Sequence, residues 1–541
     1  MTNNTPPAGS PATVPWRARY LPALLLVAAI FLAYVRVWHA GFIWDDDDHL
    51  THNPCIIGPL GFPAIWTSAR AVYYPLVLTS FWLQHQLWGL NPLPYHLINV
   101  ALHAACALLL WAILRRLAIP GAWLGAALWA LHPVQVETAA WITEQKNTQS
   151  CLFYLLSILL FIRWHKARPY ASPGTYALSL LFALLAILSK SSTVMLPVIL
   201  SLCCWWIDSR WRWRNLPALL PFLAVSIAAS LWTIWEQKYA NHALGPEWSQ
   251  TWPQRLVIAG KDIWFYLWKL LWPHPLIFIY PRWSLDTARL TSWLPLLAAA
   301  AIFLILWLLR DGPLRPLFFA ASIFLISLFP VLSFFNVYFF RYSFVGDHFQ
   351  YLASIAPLAL VASAITWLCA GASGAKIYPA IASAILLTLA TLTYVQSAAY
   401  ENLETLWRAT LADNPNAFLA QYNLAGLLVQ QGKLDEAIQH YRENLRLQPD
   451  SPETLGNLAN VLAMQGNLGE AIITYQRLLK IDPASIPALS NLASTCAKAH
   501  RYPEAIAIQK QAIAQATAIS DTKDLPVLIH YLHIYETQAA P

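Results

Sequence analysis

The stretch that decides the fold is Leu21–Trp38, LPALLLVAAIFLAYVRVW, whose eighteen residues include a single charged side chain, Arg36. An apolar segment of this length can cross the hydrocarbon core of a bilayer as one helix. No small-residue cleavage pattern follows it, so we expect a retained first membrane span and not a signal peptide. Directly beyond it lies GFIWDDDDHL, Gly41–Leu50, with four aspartates in a row.

The composition is that of an integral membrane protein. Of 541 residues, 58% are hydrophobic, only 11% are charged and 27 are tryptophan, whereas about a quarter of the residues of a soluble protein are charged. The net charge of +7 is modest and the basic residues cluster in short loops. They therefore indicate membrane topology and no nucleic-acid partner. The seven cysteines show neither metal-ligand nor disulfide spacing.

Apolar runs recur along the chain up to about residue 396. Lys and Arg near span ends mark the cytoplasmic side of a membrane. The loops that carry them predict eleven spans, at residues 20–38, 97–114, 121–140, 149–162, 175–189, 192–207, 216–235, 292–309, 316–334, 351–370 and 377–396. Two further apolar stretches, 73–90 and 256–272, do not fit this pattern, and we predict that they lie in the outer interface. An odd number of spans places the C-terminal region on the same external side as the aspartates.

Beyond residue 396 the chain is amphipathic and repetitive. Three residue types recur every 34 positions: Asn423, Asn457 and Asn491; Ala437, Ala471 and Ala505; Pro415, Pro449 and Pro483. This period predicts tetratricopeptide repeats, with residues 402–415 as the second helix of a truncated leading repeat. We therefore expect an all-α protein with a cytoplasmic tail (1–19), a polytopic membrane helical bundle (20–396) and a short extracytoplasmic repeat solenoid (397–541).

The aspartate run Asp45–Asp48 has two interpretations. A solvated acidic loop, or a cation site that needs several oxygen ligands, is the simpler one for these residues taken alone. A carboxylate can also act as a general base, which takes a proton from a hydroxyl as that hydroxyl attacks an activated carbon. Only the residues that the aspartates face can separate the two.

Other outer segments supply candidate partners of both charges. These are His132, Glu137, Glu144, Lys146, Lys190, Arg282, Arg341, Asp347 and His348. Basic groups that face acidic ones at one membrane surface suit a substrate with an anionic lipid phosphate, because a cation can neutralise the leaving group. For each cation taken singly, a side chain that merely reaches the interface is the commoner explanation.

An ordered set of fragments resembles a known family. The fragments are FIWDDDDHL, YHLINVALHAACALLL, ALHPVQVETAAWITEQK, LSKSSTVMLP and DHFQYL, followed by the terminal repeats. Together they resemble the transmembrane and tetratricopeptide repeat-containing glycosyltransferases and their bacterial relatives, within the wider GT-C class. The resemblance implies transfer of a sugar, mannose in the animal members, from a polyprenyl-phosphate donor to protein hydroxyls on the lumenal or periplasmic face.

The family's first-outer-loop acid matches Asp45 and Asp46, which the resemblance therefore implies as catalytic. It implies donor phosphate binding by Lys146, Lys190, Arg341 and His348, with a supporting set of Asp47, His132, Glu137, Glu144, Arg282 and Asp347. Two positions depart from the family: Gln145 and His348 stand where relatives often carry arginine. No Gly-rich nucleotide motif is present, which favours a lipid-linked donor; no metal site is indicated.

The repeats suggest how an acceptor could be held. Asn423, Asn457 and Asn491 share one position on successive first helices, so their amides can form a row that binds an extended peptide backbone. Helix–helix hydrogen bonding is the alternative role for these residues. Two other functions stay open: a non-catalytic membrane scaffold, and a glycan or lipid glycosyltransferase whose repeats dock an assembly partner. For the family's bacterial members the expected location is the inner membrane, with the loop and the repeats on the periplasmic side.

Overall fold

Helices dominate the part of the chain that the structure describes. The computed structural model describes residues 16–68, 74–239, 243, 245–519 and 523–540, and no strand occurs among them. The predicted all-α class is therefore confirmed. Most of the predicted tail at 1–19 lies outside the described residues, and the first helix already begins at Trp16.

The described part of the region predicted to lie in the membrane contains fifteen α-helices. They are α1 (Trp16–Ala33), α2 (Gly61–Thr67), α3 (Pro75–Trp88), α4 (Pro92–Arg116), α5 (Ala122–Ala130), α6 (Val136–Ala140), α7 (Gln145–Ala167), α8 (Pro173–Ser189), α9 (Leu196–Asp208), α10 (Leu216–Tyr239), α11 (Trp252–Leu271), α12 (Leu294–Leu308), α13 (Arg315–Leu328), α14 (Ile355–Leu368) and α15 (Ala372–Ser397).

Ten of the eleven predicted spans correspond to apolar helical segments. Six such segments are long and apolar enough to cross a membrane: Pro92–Arg116, Ile142–Ala167, Ser191–Asp208, Trp213–Tyr239, Leu290–Leu308 and Gly374–Tyr400. Four are shorter: Tyr20–Ala33, Pro173–Ser189, Arg315–Val331 and Ile355–Leu368. The chain is thus a multi-pass membrane protein.

The predicted span 121–140 is wrong as a single helix. The helix α5 ends at Ala130, a 3₁₀ turn follows at Pro133–Gln135, and α6 runs only from Val136 to Ala140. Pro133 cannot donate a backbone hydrogen bond, so it ends the preceding helical pattern. The segment is almost entirely buried, and the break separates α5 from α6, which carries Glu137.

The stretch 256–272 forms the amphipathic helix α11 rather than one of the candidate spans. Its Asp262 and Lys269 are buried, while Trp268 and Leu271 are exposed. A helix with one broad apolar face and a tryptophan-rich rim is typical of the membrane interface. The stretch 73–90 forms α3, which also is not among the candidate spans.

The chain divides into two compact units, Met1–Thr405 and Leu406–Pro541. The helices of the second begin with α16 (Leu403–Asp413) and continue as α17 (Phe418–Gln430), α18 (Leu434–Leu447), α19 (Pro452–Gln465), α20 (Leu468–Ile481), α21 (Ile486–Lys498), α22 (Tyr502–Ala518) and α23 (Leu525–Ala539). First helices begin at 418, 452 and 486, and second helices at 434, 468 and 502, which reproduces the predicted period of 34.

An ion pair repeats with the same period and fixes the register of α16. Arg408 pairs with Glu436 at 2.7 Å, and Arg442 pairs with Glu470 at 2.7 Å. Both members of the second pair lie 34 residues beyond those of the first. Arg408 on α16 therefore occupies the position that Arg442 occupies on α18, so α16 takes the place of the second helix of a leading repeat.

Candidate active site

The backbone turns sharply just before the first aspartate. Trp44 has a φ of 47°, in the left-handed region that non-glycine residues rarely adopt. Its ring packs edge-on against Phe278 and Tyr342, each at a centroid distance of 6.2 Å. This packing holds the turn that precedes Asp45 and Asp46.

The Asp46 carboxylate joins the first outer loop to Thr143 through hydrogen bonds. Its Oδ2 accepts a hydrogen bond from the Ile43 backbone N–H at 2.8 Å. Its Oδ1 accepts two more from Thr143, one from the backbone N–H at 2.8 Å and one from the hydroxyl at 2.5 Å. The residue is 0% exposed. Burial raises the pKa of Asp46 to about 7, and the bonds from Ile43 and Thr143 oppose that rise.

Asp45 is in a different situation. Its side chain is only partly buried, and no residue of the described chain donates a hydrogen bond to its carboxylate. Burial raises the pKa of Asp45 to about 6; the charge of Lys146 opposes this rise, and Asp48 and Glu144 add to it. Asp45 is therefore a carboxylate in reach of a cation, with a pKa near neutrality and its oxygens available to a substrate.

The remaining two aspartates face solvent. Asp47 and Asp48 are both exposed, and Asp47 accepts a hydrogen bond from the Thr51 hydroxyl at 2.6 Å. The Asp48 backbone carbonyl accepts one from Asn53. These contacts order the turn that follows the site.

Glu144 holds two lysines that the sequence places 44 residues apart. Its Oε1 lies 2.9 Å from Nζ of Lys146, and its Oε2 lies 3.4 Å from Nζ of Lys190. The Lys146 ammonium also lies 5.4 Å from the ring centre of Tyr74 and 5.5 Å from that of Trp141. A buried carboxylate between two cations leaves a local positive charge, which suits a phosphate.

Lys190 occupies the turn between α8 and α9, where its backbone is extended with φ −159° and ψ 123°. Burial lowers the pKa of Lys190 to about 8, and the charge of Glu144 opposes this lowering. The ammonium is therefore a cation that can lose its proton within an ordinary pH range.

Glu137 and His348 form a second layer of buried polar side chains. Glu137 Oε1 lies 2.9 Å from Nδ1 of His348, and its Oε2 accepts the His348 backbone N–H at 3.1 Å. Asn147 joins this layer to the lysine pair, because its amide donates both to Glu144 and to the His348 carbonyl. His348 also adds to the field at Asp45.

The Asp347 carboxylate is bound by a tyrosine from another segment of the chain. Its carboxylate accepts hydrogen bonds from the Tyr280 hydroxyl at 3.0 and 3.2 Å. Burial raises its pKa well above the ordinary range, and the charge of Glu137 adds to this effect while that of Lys269 opposes it. Asp347 is therefore bound to Tyr280 and lies within electrostatic range of Glu137 and Lys269.

Arg341 and Arg282 converge on a different acid. Arg341 Nε lies 3.3 Å from the Glu247 carboxylate, and an Arg282 N–H donates to the Glu247 backbone carbonyl at 3.1 Å. Arg341 stacks on Tyr342 at 5.3 Å, and the Tyr342 phenol lies within electrostatic range of Asp45. The two arginines thus flank the site and are not part of the lysine pair.

His132 is used structurally. Its Nε2–H donates to the Leu270 carbonyl at 3.1 Å, and its Nδ1 accepts the Val134 backbone N–H at 3.3 Å. Both ring nitrogens are therefore occupied, and the ring links the turn before α6 to the end of α11.

Sequence reasoning missed Thr143, Asn147 and Lys269 as parts of this site. Thr143 lies within the stretch ALHPVQVETAAWITEQK and Asn147 directly follows it, but neither residue type signals a role without its partner. Lys269 lies in the stretch 256–272, where a lysine among apolar residues is itself a signal of a buried partner. Among the described residues, no group of three or more His, Cys, Asp or Glu is arranged to hold a metal ion.

The three repeat asparagines are bound within the array. Asn423 donates to the Leu419 carbonyl of its own helix at 2.8 Å. Asn457 donates to the Tyr422 hydroxyl at 2.9 Å, and Asn491 donates to the Asn460 side chain at 3.1 Å. Each amide nitrogen thus already has a partner, and those of Asn457 and Asn491 lie on a neighbouring helix.

An apolar cavity of about 440 Å³ lies among α4, α7, α9, α13 and α14. Its lining includes Tyr154 and Ile158 on α7, the helix whose first turn carries Lys146. Eight helical residues separate Lys146 from Tyr154, a rise of about 12 Å. The lysine pair and the apolar cavity are therefore reached along one helix.

Comparison with known proteins gives three kinds of similarity. A family model described as tetratricopeptide repeat matches residues 416–484. Protein O-mannosyl-transferase Tmtc1 of Drosophila melanogaster is 30% identical over 190 residues, 32% of this chain and 22% of that protein. Human protein O-mannosyl-transferase TMTC1 is 25% identical over 494 residues, 79% of this chain and 55% of that protein. A crystal structure of ArnT from Cupriavidus metallidurans bound to undecaprenyl phosphate is 15% identical with a TM-score of 0.33, and covers 82% of this chain and 81% of that one.

The matched regions span between about a fifth and about half of the length of these two relatives. The resemblance to the transmembrane and tetratricopeptide repeat-containing family is confirmed by these similarities.

Proposed function

We propose that this protein is a membrane glycosyltransferase that transfers a sugar, mannose or similar, from a polyprenyl-phosphate donor to a hydroxyl of an extracytoplasmic protein. The similarity to protein O-mannosyl-transferases supports the class of reaction. The single observation that carries the proposal is the pairing of Asp45, a carboxylate with open oxygens, with a lysine pair held on buried Glu144.

Asp45 is the general base. It takes the proton of the acceptor hydroxyl, whose oxygen attacks the anomeric carbon of the donor sugar. As the new carbon–oxygen bond forms, the bond between that carbon and the phosphate oxygen breaks, with inversion at the carbon. Asp46 does not perform this step because its oxygens are already engaged with Ile43 and Thr143.

The leaving phosphate takes the electron pair and needs positive charge, not a proton. Lys146 and Lys190 supply it, with His348 beside them and Arg341 at the flank. Charge that is fixed in place before the reaction stabilises the developing phosphate without reorganisation of solvent. A phosphate is already a good leaving group, so no general acid is required.

A lipid-linked donor is supported by the apolar cavity, whose lining on α7 begins at Tyr154, eight residues after Lys146. A polyprenyl chain is a run of apolar units that such a cavity can bury, while its phosphate stays at the level of the lysine pair.

The repeats are proposed to bind the acceptor protein on the periplasmic side of a bacterial inner membrane. Asn423, Asn457 and Asn491 would contribute through their amide oxygens, since their nitrogens donate within the array. A non-catalytic scaffold would not need buried cations and a carboxylate with open oxygens at one membrane surface, which is costly to maintain.

The proposal is tested in two steps. Intact-mass analysis of the extracytoplasmic proteome, with and without this protein, would reveal a hexose- or pentose-sized loss on its acceptor. The purified full chain in nanodiscs is then given that acceptor with a polyprenyl-phosphate sugar. A mass gain that requires the lipid-linked donor supports the proposal; transfer from a nucleotide sugar alone, or an unchanged proteome, contradicts it.

A further inference from the structure

The Glu137 carboxylate hydrogen-bonds to two nitrogen atoms of His348. One carboxylate oxygen binds the ring Nδ1 at 2.9 Å and the other binds the backbone N–H of the same residue at 3.1 Å. Both side chains are deeply buried, with exposed fractions of 1% for Glu137 and 7% for His348. An ionised carboxylate can only accept hydrogen bonds, so Nδ1 must carry its proton.

The other ring nitrogen of His348 is directed elsewhere. No residue of the described chain hydrogen-bonds to Nε2. Asp45 and Glu144 both lie within electrostatic range of the ring. Trp141 and Phe339 flank it edge-on, at centroid distances of 6.4 and 5.4 Å. The ring is therefore fixed in orientation, and Nε2 is the ring nitrogen that stays available to a ligand.

We infer that Glu137 is a positioning residue that fixes the His348 ring and directs its Nε2 at the phosphate of the lipid donor; this inference rests on the proposed function. A carboxylate that binds one nitrogen of an imidazole orients the ring and sets which nitrogen faces a ligand. The charged groups around it are Glu137, Asp347, Asp45, Glu144, Lys146 and Lys190.

Binding of undecaprenyl phosphate to the full chain in nanodiscs tests the inference without any need for transfer. Undecaprenol, which lacks the phosphate, is the matched control ligand. His348→Gln should weaken binding of the phosphate about tenfold, the loss of one charge-assisted hydrogen bond, and leave undecaprenol unaffected. His348→Arg should bind the phosphate as the wild type does.

Glu137→Gln should weaken phosphate binding in the wild-type background and have little effect in the His348→Arg background, because a guanidinium has five donors and does not depend on one oriented N–H. Nitrogen NMR of labelled histidine should show the Nδ1 hydrogen bond of His348 weaken in Glu137→Gln. An equal loss in both backgrounds, or full affinity in His348→Gln, would overturn the inference. Neither result touches the proposed function, which fails instead if the wild type binds undecaprenol and undecaprenyl phosphate equally well.

Discussion

The Asp46 carboxylate binds Thr143 twice, through the backbone N–H at 2.8 Å and the hydroxyl at 2.5 Å. Ninety-seven residues separate the two in the chain, so this contact brings the first outer loop onto the turn that carries Glu144 and Lys146. Its neighbour Asp45 is thereby placed in the field of the lysine pair. Asp46 thus holds the two segments together, while Asp45 keeps its carboxylate oxygens available for the reaction.

Asp46→Asn should therefore lower both stability and activity. The amide that replaces one oxygen cannot accept the Ile43 or Thr143 donors, so a buried donor is left unsatisfied at a cost of about 1–3 kcal/mol. Thermal unfolding of the purified variant should occur several degrees below the wild type. Thr143→Val, which removes only the hydroxyl, is the matched control and should fall between the two. An Asp46→Asn variant as stable as the wild type would contradict the claim that the Asp46 hydrogen bonds stabilise the fold.

The acidic limb of the rate profile should report Asp45. Burial raises its pKa to about 6, and only the ionised carboxylate can accept a proton. The kcat/KM for transfer should therefore fall as the pH drops through about 6. Lys146→Met removes the charge that opposes the rise, so the midpoint should move to higher pH while the maximal rate also falls. A midpoint near 4, the ordinary value for aspartate, would contradict the assignment.

The alkaline limb should report Lys190. Burial lowers its pKa to about 8, so its charge is lost as the pH rises through that value and donor binding weakens. Lys190→Arg keeps a permanent charge and should move the alkaline limb upwards or remove it. Titration of donor affinity against pH checks this. An identical alkaline limb in the wild type and the arginine variant would exclude Lys190 as its source.

Asp262 gives a prediction about stability. Both of its carboxylate oxygens are buried without a hydrogen-bond partner in the described part of the chain, and burial raises its pKa well above the ordinary range. A group with a raised folded pKa loses stabilisation as the pH rises above its unfolded value, about 4. Asp262→Asn should therefore unfold at the same or a higher temperature at pH 7, by up to a few degrees.

Asp347→Asn is the contrasting variant. Burial raises the pKa of both acids, but the Asp347 carboxylate accepts contacts from the Tyr280 hydroxyl that Asp262 lacks. Asp347→Asn should therefore raise the unfolding temperature less than Asp262→Asn does, or lower it. If Asp262→Asn were the more damaging of the two, the carboxylate of Asp262 would have to be engaged in the folded protein.

Periodic features could be predicted from the sequence because they depend on local chemistry. Apolar runs found the membrane helices, and the step of 34 found the repeats, since burial of a face demands the same residue types at each turn. The break at Pro133 was missed because the loop charges on either side of 121–140 favour a span there, and mean hydropathy over such a segment does not register a change of direction.

The division of labour in the site could not be predicted. Asp45 and Asp46 are identical in type, and their roles differ only through Thr143, which is distant in sequence. Arg341 is predicted among the phosphate-binding cations, and the structure shows in addition its ion pair with Glu247, a contact that no sequence pattern indicates. Tertiary contacts decide such choices, and a single sequence does not contain them.

The most direct test of the account is the initial rate of sugar transfer by Asp45→Asn, with Asp48→Asn as the matched control from the exposed end of the same run. The account predicts that Asp45→Asn folds and binds the donor as the wild type does yet transfers sugar about 10²–10⁴-fold more slowly, while Asp48→Asn stays within a few-fold of the wild-type rate. Transfer by folded Asp45→Asn at the wild-type rate would contradict it.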